Sequence, residues 1–267
     1  MTTDNQSQIA LISIPYDAQS SYLRGAAGGP EALIQAYNCD SANRWTETGY
    51  DLGGVLEDKG SVDIFDESVL ESIEQSACQV ARLEQKPIFL GGDHSVTYPL
   101  LKGVAQAFDD LTVLHFDAHP DCYDVFDGNK LSHACPFARI MEERLCSRLV
   151  SVGIRTATGH QREQKERFGI EWLEMKDQAG WPALSFDTPV YISVDMDALD
   201  PAYAPGVAHH EPGGMTTRQL LNIIHAIDAP VIGADIVELN PERDLNGVTA
   251  MVAAKIMREV AGVMLRN

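Results

Sequence analysis

Six short apolar runs alternate with segments of helical spacing along this chain, and that alternation restricts its fold more than any other feature. The runs are Ile9 to Ile14, Pro87 to Leu90, Leu111 to Phe116, Leu149 to Ile154, Val190 to Val194 and Val231 to Ile236. Each has the length and continuous apolar character of a strand buried on both faces. Gly29-Pro30 opens a helix, because proline suits the first helical position. Asp66 to Leu83 carries Val69, Leu70, Ile73, Ala77 and Val80 at helical spacing. Val96 to Phe108, Ala134 to Leu145, Arg162 to Phe168, Thr217 to Ile227 and Val248 to Leu265 also read as helices. Such a chain is expected to be α/β, a mostly parallel sheet with helices on both faces. No linker, repeat or low-complexity stretch divides it, so residues 1–267 are expected to form a single domain.

In open sheets of this kind ligands gather beyond the carboxyl ends of the strands, and three of the runs end in residues suited to metal ions. Leu111 to Phe116 leads into Asp117, His119 and Asp121; Val190 to Val194 leads into Asp195 and Asp197. Pro87 to Leu90 leads through two glycines to His94. Alternation puts Asp117, His119 and Asp121 on one side if the chain stays extended past its strand. Either motif alone has a plain reading, as an Asx turn or a strand ending in solvated acids. All three together collect carboxylates that must protonate or find cations.

The economical reading is a site for two divalent ions. Carboxylate oxygens with two imidazoles favour manganese, with iron, nickel or cobalt as substitutes, whereas zinc prefers more nitrogen or sulfur. Two cations about 3.5–4 Å apart would acidify a water held between them, which is a hydrolase's arrangement.

Other residues stay open on spacing alone. His133, before a helix, fits a packing residue or a proton shuttle equally well, and Glu238, just past a strand, fits a solvated acid or a functional one. His115 reads as core or as a support behind the ligands. His209 and His210, ahead of a Pro-Gly-Gly turn, read as loop or supporting residues, and His160 and His225 carry no site signal.

The balance of 20 basic against 39 acidic residues argues against nucleic acid or an anionic membrane as partner and permits a cationic small substrate. No apolar stretch approaches the roughly 20 residues that span a bilayer, and Met1 to Ala10 lacks a signal pattern. The five cysteines show no CxxC spacing, so free thiols in a cytoplasmic protein are expected.

The segments GGDHSVTYP (Gly91 to Pro99), HFDAHPD (His115 to Asp121), SHACPF (Ser132 to Phe137), SVDMDALDPAYAPG (Ser193 to Gly206) and EPGG (Glu211 to Gly214) together resemble the ureohydrolase family of arginases and agmatinases. Asp127 to Glu143, Arg162 to Met175 and Val231 to Glu259 resemble its plant-type arginase branch, which is itself similar to agmatinases. The resemblance implies a three-layer α/β/α sandwich around an eight-stranded parallel sheet, assembled as a homo-oligomer, trimer or hexamer. The N-terminal part is shorter than that of plant arginases with targeting peptides, which agrees with the cytoplasmic expectation.

The same resemblance implies two Mn2+ ions bridged by Asp117 and Asp195. His94 and Asp121 complete one shell, and His119 and Asp197 the other. It makes His133 a relay of a proton to the leaving amine, with Asp121 as the direct donor, and Glu238 the anchor of a substrate guanidinium. The implied reaction converts L-arginine to L-ornithine and urea; agmatine to putrescine and urea is the alternative, with guanidinobutyrate and guanidine behind it. Within Cys122 to Leu131, Asn129 and Lys130 are expected to serve the arginine carboxylate, and Asp124 or Asp127 its α-ammonium. A single-zinc amide hydrolase of the deacetylase type fits the paired motifs less well. A non-catalytic partner of an active homologue would have lost a ligand, His133 or Glu238, and all are present.

Overall fold

The apolar runs lie side by side as parallel strands, since helices cover both faces and leave no face for water. The computed structural model describes residues 8–64, 68–83 and 85–266. Its strands are β1 (Ile9–Ile14), β2 (Leu56–Ser61), β3 (Lys86–Gly91), β4 (Thr112–Phe116), β5 (Arg148–Ile154), β6 (Glu171–Glu174), β7 (Val190–Asp195) and β8 (Val231–Val237). They form one eight-stranded sheet in the order β2-β1-β3-β8-β7-β4-β5-β6, with every pair parallel.

The helices are α1 (Gly29–Asn38), α2 (Val69–Ala81), α3 (Thr97–Val104), α4 (Pro136–Glu142), α5 (Gly159–Phe168), α6 (Thr217–His225) and α7 (Val248–Arg266). One core packs α1, α6 and α7 on the sheet through Leu33, Leu220, Ile224, Ile256 and Val260. The other packs α2, α3 and α4 on the opposite face through Ile73, Ala77, Leu100, Phe137 and Ile140. The result is the expected three-layer α/β/α sandwich. No helix among the described residues is long and apolar enough to cross a membrane.

Two strands escaped the apolar pattern, β2 and β6, and these are the two edges of the sheet. β2 reads LEDKGS and is largely exposed, as suits an edge where charge discourages further pairing. β6 is four residues long with only Leu173 buried. The helix expected from Asp66 begins at Val69 among the described residues, and Asp66 itself lies outside them. α5 starts three residues earlier than its periodicity indicates. Thr158 caps it by accepting from the backbone N–H of Gln161, whose side chain reaches back to the Thr158 N–H.

The chain order places β8 and β7 between β3 and β4. These four neighbouring strands end in the segments that hold His94, Glu238, Asp195 and Asp117. The register pairs Phe116 with Val194, and Asp195 with Val237, so the acidic ends emerge at one level.

Candidate metal centre and substrate cavity

Each strand end reaches the site through a tight turn. Beyond β3 the chain passes so close to Tyr16 that a Cβ on Gly92 would sit 2.0 Å from the Tyr16 carbonyl oxygen, so only glycine fits there. A short 3-10 turn, His94–Val96, then swings His94 inward, capped by Asp93 accepting from the Ser95 N–H at 3.1 Å. At the end of β7, Asp195 Oδ1 accepts from the Asp197 N–H at 2.7 Å, which folds Asp197 back beside it. After β4, Asp117 Oδ1 accepts from the His119 N–H at 2.6 Å. The convergence of Asp117, His119 and Asp121 therefore comes from bends rather than from the extended continuation that alternation suggests. Asp121 adopts φ 42° and Glu238 φ 62°, left-handed conformations that non-glycine residues adopt rarely and often where a side chain must be aimed.

The resulting cluster has two parts. His94 Nδ1 lies 3.2 Å from Asp117 Oδ2, 3.1 Å from Asp121 Oδ2 and 3.3 Å from Asp195 Oδ2. His119 Nδ1 lies 3.0 Å from Asp197 Oδ2 and 3.4 Å from Asp117 Oδ1. Asp117 is shared: it groups with His94, Asp121 and Asp195 on one side and with His119 and Asp197 on the other. Asp195 faces the first group through Oδ2 while its Oδ1 is occupied by the Asp197 N–H. All six side chains are buried except that of His119, which is partly open.

The hydrogen bonds behind these residues determine which atoms face the cluster. Ser193 Oγ donates to Asp235 Oδ1 at 2.7 Å, so it can only accept from His94 Nε2, 3.1 Å away. His94 therefore carries a proton on Nε2, and its Nδ1 points at three carboxylate oxygens. That buried Nδ1 makes no hydrogen bond of its own. Burial opposes charge on His94, yet Asp117, Asp121 and Asp195 raise its pKa well above the ordinary value. Burial and the neighbouring carboxylates also raise Asp195, and Asp197 to about 6. The cluster is short of positive charge, and its donors, carboxylate oxygens with two imidazole nitrogens, fit two divalent cations.

A buried polar row supports it. Ser151, His115, Ser193 and Asp235 sit in register across β5, β4, β7 and β8, all fully buried. His115 Nε2 donates to Asp117 Oδ2 at 2.9 Å while the Ser151 hydroxyl holds Nδ1 at 3.1 Å. His115 is thus a support for Asp117. Ser193 and Asp235 were missed from the sequence, although Ser193 stands two residues before Asp195, on the same face of its strand.

His133 and Glu238 meet beside the cluster. His133 Nδ1 donates to Glu238 Oε1 at 2.8 Å, and Ser21 Oγ lies 2.8 Å from His133 Nε2. Burial disfavours a charged His133, but the bond to Glu238 and the charges of Asp121 and Asp93 lift its pKa to about 9. Glu238 Oε1 also accepts from the His94 N–H at 3.0 Å. Among the described residues no hydrogen bond reaches Glu238 Oε2, and Glu238 lines a cavity of about 170 Å3 with His133, His119, Asp121, Asp195 and Asp197. Ser21, from the loop after β1, had no signal in the sequence.

The arginase family profile matches residues 7–262. The chain belongs to the arginase family. It is 45% identical to arginase 1, mitochondrial, of Arabidopsis thaliana, over 94% of this chain and 80% of that protein. It is 32% identical to the mitochondrial agmatinase of Gallus gallus, over 96% of this chain and 80% of that protein. The solved arginase from Medicago truncatula superposes with a TM-score of 0.91 at 40% identity, covering 96% of this chain and 87% of that one.

In this arginase-family chain, the 122–131 loop meets the cavity through Tyr123 and Phe126 rather than through its charged residues. Asp124 Oδ1 pairs with Arg139 at 3.0 Å, and Arg139 also binds the carbonyls of Asp124 and Lys130. Asn129 Nδ2 donates to Gln19 Oε1 at 2.6 Å. The Lys130 side chain borders a separate small hollow with Leu70, Ser95 and Tyr98. Asp127 and Gly128, both at positive φ, form the tip of a tight turn closed by Phe126 and Asn129. Asp124, Asn129 and Lys130 are not among the residues that line this cavity: Arg139 holds the Asp124 carboxylate, Asn129 binds Gln19, and Lys130 is engaged through its backbone carbonyl. The cavity lining also includes Thr156 and Thr158, between β5 and α5, and Gln161 in the first turn of α5.

Proposed function

We propose that this chain is a binuclear manganese hydrolase that releases urea from a guanidino compound, L-arginine first. The observation that carries the reading is Glu238, whose free Oε2 shares one small cavity with the metal-ligand cluster. A buried carboxylate with one open oxygen suits a cation that can donate from several N–H groups. The names of the plant relatives, arginases at 40–45% identity, support arginine.

His94, Asp117, Asp121 and Asp195 would hold one ion, and Asp117, His119 and Asp197 the other. Bound there, divalent cations would supply Lewis acidity and acidify water. Glu238 orients the guanidinium and fixes its carbon toward the cluster. His133 keeps Glu238 in place through Nδ1 and holds a proton beside the cavity for the departing amine. Asp121, which also lines the cavity, is the second group placed to pass that proton.

Agmatine is the second reading, and a specific observation favours it: the residues lining the cavity include no Lys or Arg. An arginine carboxylate would be met by neutral donors such as Thr156 and Thr158. Urea release by the manganese-loaded protein, measured with arginine and agmatine in parallel, tests the proposal. Preference for arginine upholds it, and preference for agmatine keeps the mechanism and replaces the substrate. No urea from either, nor from guanidinobutyrate or guanidine, with manganese or with nickel, overturns it.

A further inference from the structure

His209 and His210 are adjacent in the loop between β7 and α6 but face opposite ways. His210 is exposed, and its Nε2 donates to the Pro205 carbonyl at 2.7 Å. His209 turns inward and lines the substrate cavity. Its ring centre lies 5.4 Å from that of His133 and 5.8 Å from that of His119. His133 is paired with Glu238, and His119 groups with Asp117 and Asp197. On its outer side His209 meets the exposed ring of Tyr22, centre to centre 5.4 Å.

The loop that carries His209 is firmly anchored. Asp200 Oδ2 accepts from the N–H groups of Gly213 and Gly214 at 2.7 and 3.1 Å. Arg155 Nε donates to the Glu211 carbonyl at 2.7 Å, and the same guanidinium binds the carbonyls of Asp197, Ala198 and Leu199. The imidazole is therefore held over the cavity by a fixed backbone. Among the described residues its ring nitrogens make no hydrogen bond, and its ring packs near those of Tyr22, His119 and His133.

We propose that His209 is a substrate-contacting residue that helps to hold the guanidino end of the substrate. Its ring covers the guanidino group once that group lies between Glu238 and the metal ligands, and bears on the first methylene groups that follow. The inference rests on the guanidino-hydrolase reading above. It brings the 200–214 loop into substrate binding, in addition to the 122–131 loop singled out from the sequence.

The test is steady-state urea release and bound-metal content for the wild type, His209→Ala and His209→Phe, with arginine, agmatine and 4-guanidinobutyrate. His209→Ala is expected to keep its metal, to raise KM for the preferred substrate about tenfold and to change kcat by less than about threefold. The three substrates share the part of the molecule that the ring covers, so KM should rise by a similar factor for each. His209→Phe, which keeps a ring, should recover part of the KM. KM within twofold of the wild type for all three compounds in His209→Ala overturns the inference. Loss of metal in both variants also overturns it, since the ring would then serve the ligands. Urea release by neither wild type nor variants removes the guanidino-hydrolase reading, and this inference with it.

Discussion

Nδ1 of His133 and Oε1 of Glu238 lie 2.8 Å apart, and that same oxygen accepts from the backbone N–H of His94 at 3.0 Å. One carboxylate oxygen thus ties His133 to the strand end that carries His94. The other oxygen is left facing the cavity. Glu238→Gln keeps the shape but removes the charge and presents a donor in place of an acceptor. A charge-assisted bond is worth about 1.5–3 kcal/mol, so kcat/KM should fall on the order of 10- to 100-fold. The loss should appear mainly in KM, with metal content unchanged. Kinetics paired with metal analysis checks this, and an unaltered KM would remove Glu238 from substrate binding.

Asp117 and His133 should separate metal binding from proton transfer. Asp117 belongs to both halves of the cluster and is held by His115 from behind, so Asp117→Ala is expected to lose bound metal and, with it, activity. His133 touches no member of the metal groups through a hydrogen bond. His133→Ala should retain metal and slow turnover by about 10²- to 10⁴-fold, the usual contribution of a positioned acid or base. Full activity in both variants would sink the site assignment.

What the sequence disclosed and what it hid follow from one physical distinction. Central strands such as β7 and β8 are apolar on both faces because helices cover them, so they stand out as runs. β2 and β6 lie at the edges, where charge and exposure erase that pattern. The metal-type residues were legible because carboxylates gathered at neighbouring strand ends repel one another unless cations lie among them. Ser21 was not, because a serine in a loop gives no sign that it will meet His133, 112 residues away. Asp124 and Lys130 show the opposite case. Charges in a loop near a site suggest substrate contact, yet Arg139 takes the Asp124 carboxylate and the Lys130 carbonyl to hold the loop itself.

Ser193 offers a way to weaken the metal centre without touching a ligand. Its hydroxyl passes the pull of Asp235 to His94 Nε2 and so keeps the lone pair of Nδ1 turned to the cluster. Ser193→Ala leaves Nε2 without its acceptor and frees the imidazole to change tautomer. Partners of this kind typically account for a factor of about 10–100 in metal affinity. Titration of metal-stripped protein with Mn2+ should show a loss of that size, with the fold intact by circular dichroism. Wild-type affinity in the variant would show that packing against the rings of Phe137 and His115 suffices to orient His94.

Acid sensitivity should come from a network away from the cavity. Glu259, buried on α7, binds Lys255, His225 of α6 and the backbone N–H of Glu47, while Glu47 also binds Arg218 and Lys255. The Arg218 bond, against a smaller effect of burial, holds Glu47 at about 2. Burial works against ionised Glu259, but Lys255 and His225 bring it below its ordinary 4.5. Both folded-state values are therefore depressed. The stability they contribute is fully present above pH 4.5 and is lost as the pH falls from there towards about 2. Glu47 is largely exposed, so solvent screens its share, and most of the effect should reside in Glu259. Glu259→Gln should lower stability at pH 7 by about 1–3 kcal/mol, because the cations around it lose their partner. The variant should also lose less further stability on acidification than the wild type does. Thermal melts from pH 7 to pH 3 on both proteins decide it, and parallel curves would place the acid-labile groups elsewhere.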